Sequence, residues 1–180
     1  PKAFPLYSVM HLVACDPGVH GALVLADTRQ KKIYVKNMPE DTNELEGILN
    51  RLPRHKRRKL VIEKMSYAMS GGGKVSNPRS SGILGLATGR VIGYATACGY
   101  DIEEVPPVKW MRAVGAYDSE LTARDRTKWK NNLKQIAADS FPDFRVTLQN
   151  ADALLILLWA YRELNGDHTL NLDNWEIIKL

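Results

Sequence analysis

The order of its apolar segments is the feature that most restricts how this chain can fold. Residues 9–15 form a continuous apolar run that ends at Asp16 and a Pro-Gly pair, which is typical of a buried strand running into a tight turn. Residues 21–27 and 31–37 have the composition of two further strands, with polar residues between them. Three strands with such short connections are most simply an antiparallel meander.

Predicted helices alternate with strands through the rest of the chain. The strands are expected at residues 59–63 and 101–105, and the helices at residues 38–52, 83–98, 108–114, 122–140 and 150–164. This order predicts an α/β fold with a mixed five-stranded sheet flanked by helices, as in the ribonuclease H-like fold. The 180 residues are predicted as one domain, with a core over residues 9–165 and a C-terminal tail over residues 166–180. The tail contains apolar residues that must cover either the core or a partner: Trp175, Ile177, Ile178 and Leu180.

Cysteine, histidine and hydropathy patterns exclude several classes of protein. Cys15 and Cys98 cannot form a disulfide framework or a four-cysteine zinc site, and the four histidines lack the spacing of a metal-binding pair. The longest apolar run, residues 151–161, is about half of the roughly 20 residues that span a bilayer. We therefore expect an intracellular protein in a reducing compartment, with no membrane partner.

Three acidic residues stand where strands or helices meet one edge of the predicted sheet. Asp16 ends the first strand and Glu63 ends the fourth, and a helical crossover would place these strands side by side and parallel. Asp152 lies in the first turn of an otherwise apolar helix. Three converging acids repel one another unless a cation neutralises them, and oxygen ligands favour Mg²⁺ or Mn²⁺. Two such ions about 3.5–4 Å apart can hydrolyse a phosphodiester.

Each acid also has a simpler interpretation. Asp16 before Pro-Gly is a common turn residue, and Glu63 could pair with Lys64 at the surface. Asp152 could be a first-turn acid that the helix dipole stabilises. The metal-site hypothesis therefore depends on all three acids occupying the predicted positions together.

The acidic motifs resemble those of the RuvC-like Holliday-junction resolvases. The matching residues are Asp16-x-Gly18-x-x-Gly21, Val61-Ile62-Glu63, Ala151-Asp152-Ala153-Leu154-Leu155, Val108-Lys109 ahead of Gly115, and Lys130-Asn131-Asn132-Leu133. The resemblance covers roughly residues 9–165. It implies a Mg²⁺- or Mn²⁺-dependent crossover junction endodeoxyribonuclease with two ions per site and no nucleotide cofactor. It further implies a homodimer that cuts a four-way DNA junction by paired symmetric nicks, which leave 5′-phosphate and 3′-hydroxyl ends.

The resemblance also implies roles for individual residues. Asp16, Glu63 and Asp152 would be catalytic metal ligands, and Lys130 would neutralise charge in the transition state. Lys109 would position a phosphate, and the basic helix that contains Lys128 would contribute to DNA binding.

One position departs from the family pattern, which has an acid or a histidine three residues before the last Asp. Gln149 stands there, followed by Asn150. A neutral amide oxygen binds a divalent cation more weakly than a carboxylate, so these two residues are expected to be weaker metal ligands. The departure leaves open a catalytically weakened or inactive junction-binding form, whether the change is native or introduced.

Two further segments have predicted roles at the DNA. In the Gly- and Ser-rich loop over residues 66–82, Tyr67 could wedge against unstacked bases while Lys74 and Arg79 hold phosphates; a plain surface loop is the alternative. The basic run over residues 51–59 lies roughly 20 Å from Glu63 at about 3.3 Å per residue. It is therefore expected to hold a distal DNA arm or to face solvent. Small residues in the helix after the loop suit either a dimer contact or packing on the sheet.

Other functions remain open on the sequence alone. An actin-like or sugar-kinase ATPase also has Asp-x-Gly after its first strand, but it needs a second lobe for which 180 residues leave no room. A ribonuclease H or transposase-like nuclease with another nucleic-acid substrate, and a non-catalytic junction-binding protein, both fit the predicted fold.

Overall fold

A six-stranded mixed sheet forms the centre of the fold. The computed structural model describes residues 10–54, 57–65, 78–119, 125–165, 172 and 174–180. The strands are β1 (Met10–Asp16), β2 (Ala22–Asp27), β3 (Lys32–Asn37), β4 (Arg57–Glu63), β5 (Asp101–Val105) and β6 (Glu176–Lys179), in the spatial order β5-β4-β1-β2-β3-β6. Strands β1, β2 and β3 are antiparallel neighbours, as the meander predicts. Strands β4, β5 and β6 each run parallel to the neighbour that they join.

The predicted mixed sheet is confirmed, but the predicted number of five strands is wrong. The sixth strand comes from the C-terminal tail, where Glu176–Lys179 pairs with the outer edge of β3. An ion pair between Lys32 and Glu176, 3.0 Å apart, and the backbone hydrogen bond from Leu180 to Val35 support this pairing. Trp175 and Ile177 of the tail pack against the core of their own chain. Of the two possibilities that the sequence left open, the core and a partner, the structure supports the core.

Helices cover both faces of the sheet. They are α1 (Thr42–Leu49), α2 (Pro78–Ala97), α3 (Pro107–Ala113), α4 (Arg126–Ser140) and α5 (Ala151–Asn165). Alternate residues of β1 point to opposite faces, so Val13 and Cys15 pack with α1 and α2, whereas Leu12 and Ala14 pack with α3, α4 and α5. Helix α2 begins five residues before the predicted start at residue 83, so the end of the predicted loop is helical.

Helix α5 is the most deeply buried helix in the described part of the chain. All ten residues of Ala151–Ala160 are buried, and the helix packs across β1, β2 and β4. The apolar stretch that follows Asp152 in sequence thus places that acid inside the protein. Among the described residues, no helix is both long and apolar enough to cross a membrane.

Candidate active site

Asp16 and Glu63 lie beside each other at one edge of the sheet. Each is the last residue of its strand, and the parallel register pairs the residues just before them, Cys15 and Ile62. Neighbouring strands are about 4.8 Å apart, so the two side chains start from adjacent positions. The local sequence explains the arrangement. The apolar residues of each strand are buried in the sheet, and the strand ends at its first acidic residue, where the chain reaches the edge of the core.

Helix α5 adds Asp152 to the same edge. This residue is 5% exposed, although it lies in the first turn of the helix. Its Oδ2 accepts a hydrogen bond from the Lys130 ammonium group on α4. Its Oδ1 is buried and has no hydrogen-bond partner among the described residues. An acceptor left unsatisfied in this way is unfavourable, and a bound cation would satisfy it.

The three acids interact electrostatically. Burial, followed by the charge of Asp152, raises the pKa of Asp16 above its usual range, while the Gly18 backbone N–H and Lys130 oppose that shift. Burial, followed by the charges of Asp16 and Asp152, raises the pKa of Glu63 to about 8, against the opposing hydrogen bond from Trp110. Burial and the neighbouring acids therefore favour the protonated form of Glu63 near neutral pH, and Lys130 offsets only part of the negative charge of the cluster.

Trp110 is a site residue that the sequence prediction missed. Its indole Nε1–H donates a hydrogen bond to Glu63 Oε2 over 3.0 Å. It lies in α3, which starts two residues after β5, and β5 pairs with Glu63 through Val105. The sequence contained one indication of this role: Trp110 is an aromatic residue in the short helix that follows β5, and β5 is the strand beside Glu63.

The turn after β1 holds Asp16 in place. The Gly18 backbone N–H donates to Asp16 Oδ1 over 3.3 Å, and the Gly21 N–H donates to the Gly18 carbonyl over 2.8 Å. A Cβ atom on Gly21 would lie 2.1 Å from the Asp16 carbonyl oxygen and 2.9 Å from its carboxyl carbon. Only glycine fits this close approach, which explains the second glycine of the Asp-x-Gly-x-x-Gly pattern.

The two predicted amide ligands each have a hydrogen-bond partner. Gln149 Oε1 accepts from the Asn37 side chain over 3.0 Å, and Asn150 Oδ1 accepts from the Thr147 backbone N–H over 2.8 Å. Asn37 ends β3 opposite Ala22, which in turn pairs with Asp16. Gln149 therefore lies at the same edge of the sheet as the acids, and each amide oxygen keeps a second lone pair.

The predicted DNA-binding lysines occupy different surroundings. Lys109 is exposed, and its ammonium nitrogen lies 4.9 Å from the ring centroid of Trp159. Lys130 is partly buried between Asp152 and the ring of Trp129. Lys128 precedes Lys130 by two residues, which is about 200° around the helix, and its side chain is exposed on a different side from Lys130.

The remaining predicted DNA contacts lie outside the acidic cluster or outside the described residues. Arg79 is exposed in the first turn of α2, whereas Tyr67 and Lys74 are in a segment that the structure does not describe.

Several basic residues of the run over residues 51–59, outside residues 55 and 56, which the structure does not describe, make contacts within the protein. Arg58 is buried, with its guanidinium 4.6 Å from the centroid of the Tyr100 ring. Arg54 donates two hydrogen bonds to the Asn50 side-chain oxygen. Lys59 pairs with Glu103 over 2.7 Å. Several of these charges therefore stabilise the end of the sheet opposite the acids.

The acids do not form a closed metal cage in this conformation. Within the ranges that the structure describes, no group of three or more His, Cys, Asp or Glu side chains is arranged to hold a metal ion. The Lys130 ammonium lies on Asp152, where it provides part of the positive charge that the cluster requires. A divalent ion would have to draw the carboxylates closer together.

The raised pKa of Glu63 predicts an unusual pH dependence of stability. Between about pH 5 and 8 the folded protein holds a proton on Glu63 that the unfolded chain releases. Without divalent metal, the free energy of unfolding is therefore expected to fall as the pH rises through this window, by up to about 3 kcal/mol. Urea unfolding in EDTA at several pH values measures this slope. Glu63→Gln should flatten it, and an equally steep slope in that variant would contradict the assignment.

The comparisons with known proteins are informative at the level of structure only. Neither a protein-family model nor a curated protein matches this sequence. Thermus thermophilus RuvC in complex with a Holliday junction substrate matches with a TM-score of 0.53 and 17% identity, over 87% of this chain and 96% of that one. A second Thermus thermophilus RuvC structure matches with a TM-score of 0.52 and 17% identity, over 87% and 97%. Together with its mixed sheet and flanking helices, these matches give the chain a RuvC-like form of the ribonuclease H-like fold.

Proposed function

We propose that this chain is a metal-dependent endonuclease that resolves four-way DNA junctions. The observation that carries the proposal is the cluster of Asp16, Glu63 and Asp152, with Lys130 against it, at one edge of a RuvC-like sheet. One RuvC structure with this fold is in complex with a Holliday junction substrate. A mutually repelling set of one buried and two partly buried acids is unfavourable for folding, so a function that requires them is the simplest explanation.

The donor atoms fit Mg²⁺ or Mn²⁺. Asp16, Glu63 and Asp152 provide carboxylate oxygens, and the buried Oδ1 of Asp152 lacks a hydrogen-bond partner among the described residues. The amide oxygens of Gln149 and Asn150 are the proposed weaker ligands. Two bound ions would activate a water molecule and stabilise the leaving oxygen.

The chain's own residues would orient and neutralise the reacting phosphate. Water adds its oxygen to phosphorus, the bond from phosphorus to the 3′ oxygen breaks, and that oxygen takes a proton, leaving 5′-phosphate and 3′-hydroxyl ends. Lys130 is the residue proposed to offset the added negative charge of the transition state, because its ammonium already lies against the acidic cluster.

Exposed basic residues are proposed to contact the DNA around the scissile phosphate. Lys109 has the best support, since it directly precedes Trp110, the hydrogen-bond partner of Glu63, and the Trp159 ring under its ammonium restricts the side chain. Arg79 and Lys128 are proposed to contact phosphates farther away. Tyr67 and Lys74 remain candidates for contacts at the junction centre.

Lys109→Ala is expected to weaken junction binding and to reduce its dependence on salt. Each lysine–phosphate contact contributes about 0.7–0.9 to the slope of log K against log salt concentration. Fluorescence anisotropy with a labelled junction at several salt concentrations measures this slope. The matched control is Lys31→Ala, an exposed lysine in the turn between β2 and β3, at the end of the sheet opposite the acids, which should leave the slope unchanged. An unchanged slope for Lys109→Ala would remove its phosphate-contact role.

A second copy of the chain is the proposed protein partner, because paired symmetric nicks need two sites. Helix α2 offers a surface for it. Thr88, Val91 and Ala95 pack inward on the sheet, whereas Leu86 on the outer face is 68% exposed. Three glycines of the same helix have open space where a side chain would start, since an added Cβ would meet no described atom within 4 Å. They are Gly82, Gly89 and Gly93, and they would allow another chain to approach the helix backbone closely.

Cleavage assays with three labelled substrates test the function. The substrates are a synthetic four-way junction, a linear duplex of the same sequence and an RNA–DNA hybrid, each with Mg²⁺. We expect junction cleavage alone, with two nicks made within one bound complex. Cleavage of the hybrid would favour a ribonuclease H-like nuclease. Junction binding without cleavage, also in the Gln149→Asp and Asn150→Asp variants, would favour the non-catalytic binding protein.

A further inference from the structure

We propose that Trp110 is a positioning residue, whose indole N–H holds the Glu63 carboxylate in the orientation that binds a divalent metal ion. The inference rests on the proposed nuclease function and deepens it by adding a residue outside the acidic cluster. Its basis is the hydrogen bond from Trp110 Nε1 to Glu63 Oε2, which is 3.0 Å long.

The donor of this hydrogen bond is held in place by the core. Trp110 is 1% exposed and is among the largest fully buried side chains. It packs in the cluster between the sheet and helices α3, α4 and α5, together with Val105, Met111 and Ala116. An indole N–H can only donate, so its location fixes where a carboxylate oxygen must lie.

The acceptor, in contrast, needs a restraint. Glu63 has a flexible side chain at the end of β4, and the like charges of Asp16 and Asp152 act on it. When Glu63 is ionised, as a metal ligand must be, repulsion of this kind favours rotamers that turn the carboxylate away from the other two acids. A hydrogen bond from a rigid neutral donor to one oxygen opposes that rotation and leaves the second oxygen for a cation. In the ionised form that binds a metal ion, the acceptor is a carboxylate, and this hydrogen bond is then stronger than one between neutral groups.

A purely structural role is the competing interpretation. A buried indole N–H needs an acceptor, and Glu63 would then serve only to satisfy Trp110. The two interpretations differ in what removal of the N–H changes. A structural role predicts a loss of stability with metal affinity intact. A positioning role predicts a loss of metal affinity, since removing an outer partner of a metal ligand typically weakens affinity or activity 10–100-fold.

The test is the affinity of the full chain for Mn²⁺ in the absence of DNA, measured by calorimetric titration. Trp110→Phe keeps an aromatic ring and removes the N–H, and we expect it to weaken Mn²⁺ binding by about 10–100-fold. The matched control is Trp175→Phe, which alters a tryptophan that stacks edge-on against Tyr161. Its Mn²⁺ affinity should be unchanged. If Trp110→Phe does not fold, benzothienylalanine at position 110 removes the N–H at nearly constant shape.

Junction cleavage measured on the same proteins separates this inference from the proposed function. A weakened Mn²⁺ affinity in a chain that cuts no nucleic acid would support the role of Trp110 and overturn the nuclease proposal. An affinity within twofold of the parental value, in a parental chain that does cut junctions, would overturn the role of Trp110 alone. A parental chain that binds no Mn²⁺ would overturn both.

Discussion

Asp16→Asn is expected to abolish junction cleavage, with a loss of at least about 1,000-fold in the single-turnover rate. The substitution keeps the shape of the side chain, so the turn at Gly18 and the pairing of β1 remain possible. It removes one of three negative charges near the scissile phosphate. Junction affinity should therefore stay the same or increase, because the repulsion between acid and phosphate is smaller.

Asp27→Asn is the matched control for this experiment. Asp27 is also a buried acid at the end of a strand, and its carboxylate accepts hydrogen bonds from the backbone N–H groups of Arg29 and Gln30. It pairs with His11, at the opposite end of β1 from Asp16. Cleavage should survive in this variant. Asp16 is a structural residue if Asp16→Asn loses both junction binding and cleavage and also unfolds at a lower midpoint temperature than the control.

Gly21→Ala is expected to disturb the fold strongly, and more than the same change at the other glycines whose surroundings the structure describes. The new Cβ would lie 2.1 Å from the Asp16 carbonyl oxygen, which is backbone and cannot move without shifting β1 or the turn. Overpacking in a well-packed core destabilises by about 1–3 kcal/mol, and a clash with backbone should be at or above the upper end. Since the displaced residue is Asp16, cleavage should be lost even under conditions where the variant remains folded.

Gly47→Ala provides the control for the added methyl group. It lies inside helix α1, with no described atom within 4 Å of an added Cβ. Alanine has the higher helix propensity, so this variant should be more stable by up to about 1 kcal/mol. Urea unfolding of both variants measures the difference. A Gly21→Ala protein as stable and as active as the parental chain would contradict the described turn.

The strands and the acidic edge were predictable because both depend on short-range pattern. The apolar run before Asp16 and the one before Glu63 are each long enough to identify a strand, and parallel pairing then places their ends together. The contact of Trp110 with Glu63 was not predictable in the same way. A tryptophan in a short helix is ordinarily a core residue, and only the three-dimensional structure gives the acceptor of its N–H.

Charge patterns in the sequence were weaker guides than apolar patterns. Arg58 lies in a basic run that suggested either a solvated edge or a DNA arm, yet it is buried against Tyr100. The sequence shows the charge of Arg58 but not its neighbour in the fold, the ring of Tyr100, which directly precedes the adjacent strand β5. The sixth strand was missed for a related reason, because the partner of Glu176–Lys179 is distant in sequence.

The pairing of β6 with β3 has a consequence for how the chain avoids aggregation. The two strands are about 140 residues apart in sequence, so closing that loop is entropically unfavourable, and we expect this pairing to form late during folding. Until then β3 is an open edge with unpaired backbone groups, to which another chain could add. Lys32 and Lys36 lie on that strand, and charged side chains of this kind oppose such additions. In the folded protein, Lys32 forms an ion pair with Glu176 and Lys36 with Glu44. The same charges that oppose intermolecular strand addition before β6 pairs therefore contribute to the stability of the complete sheet.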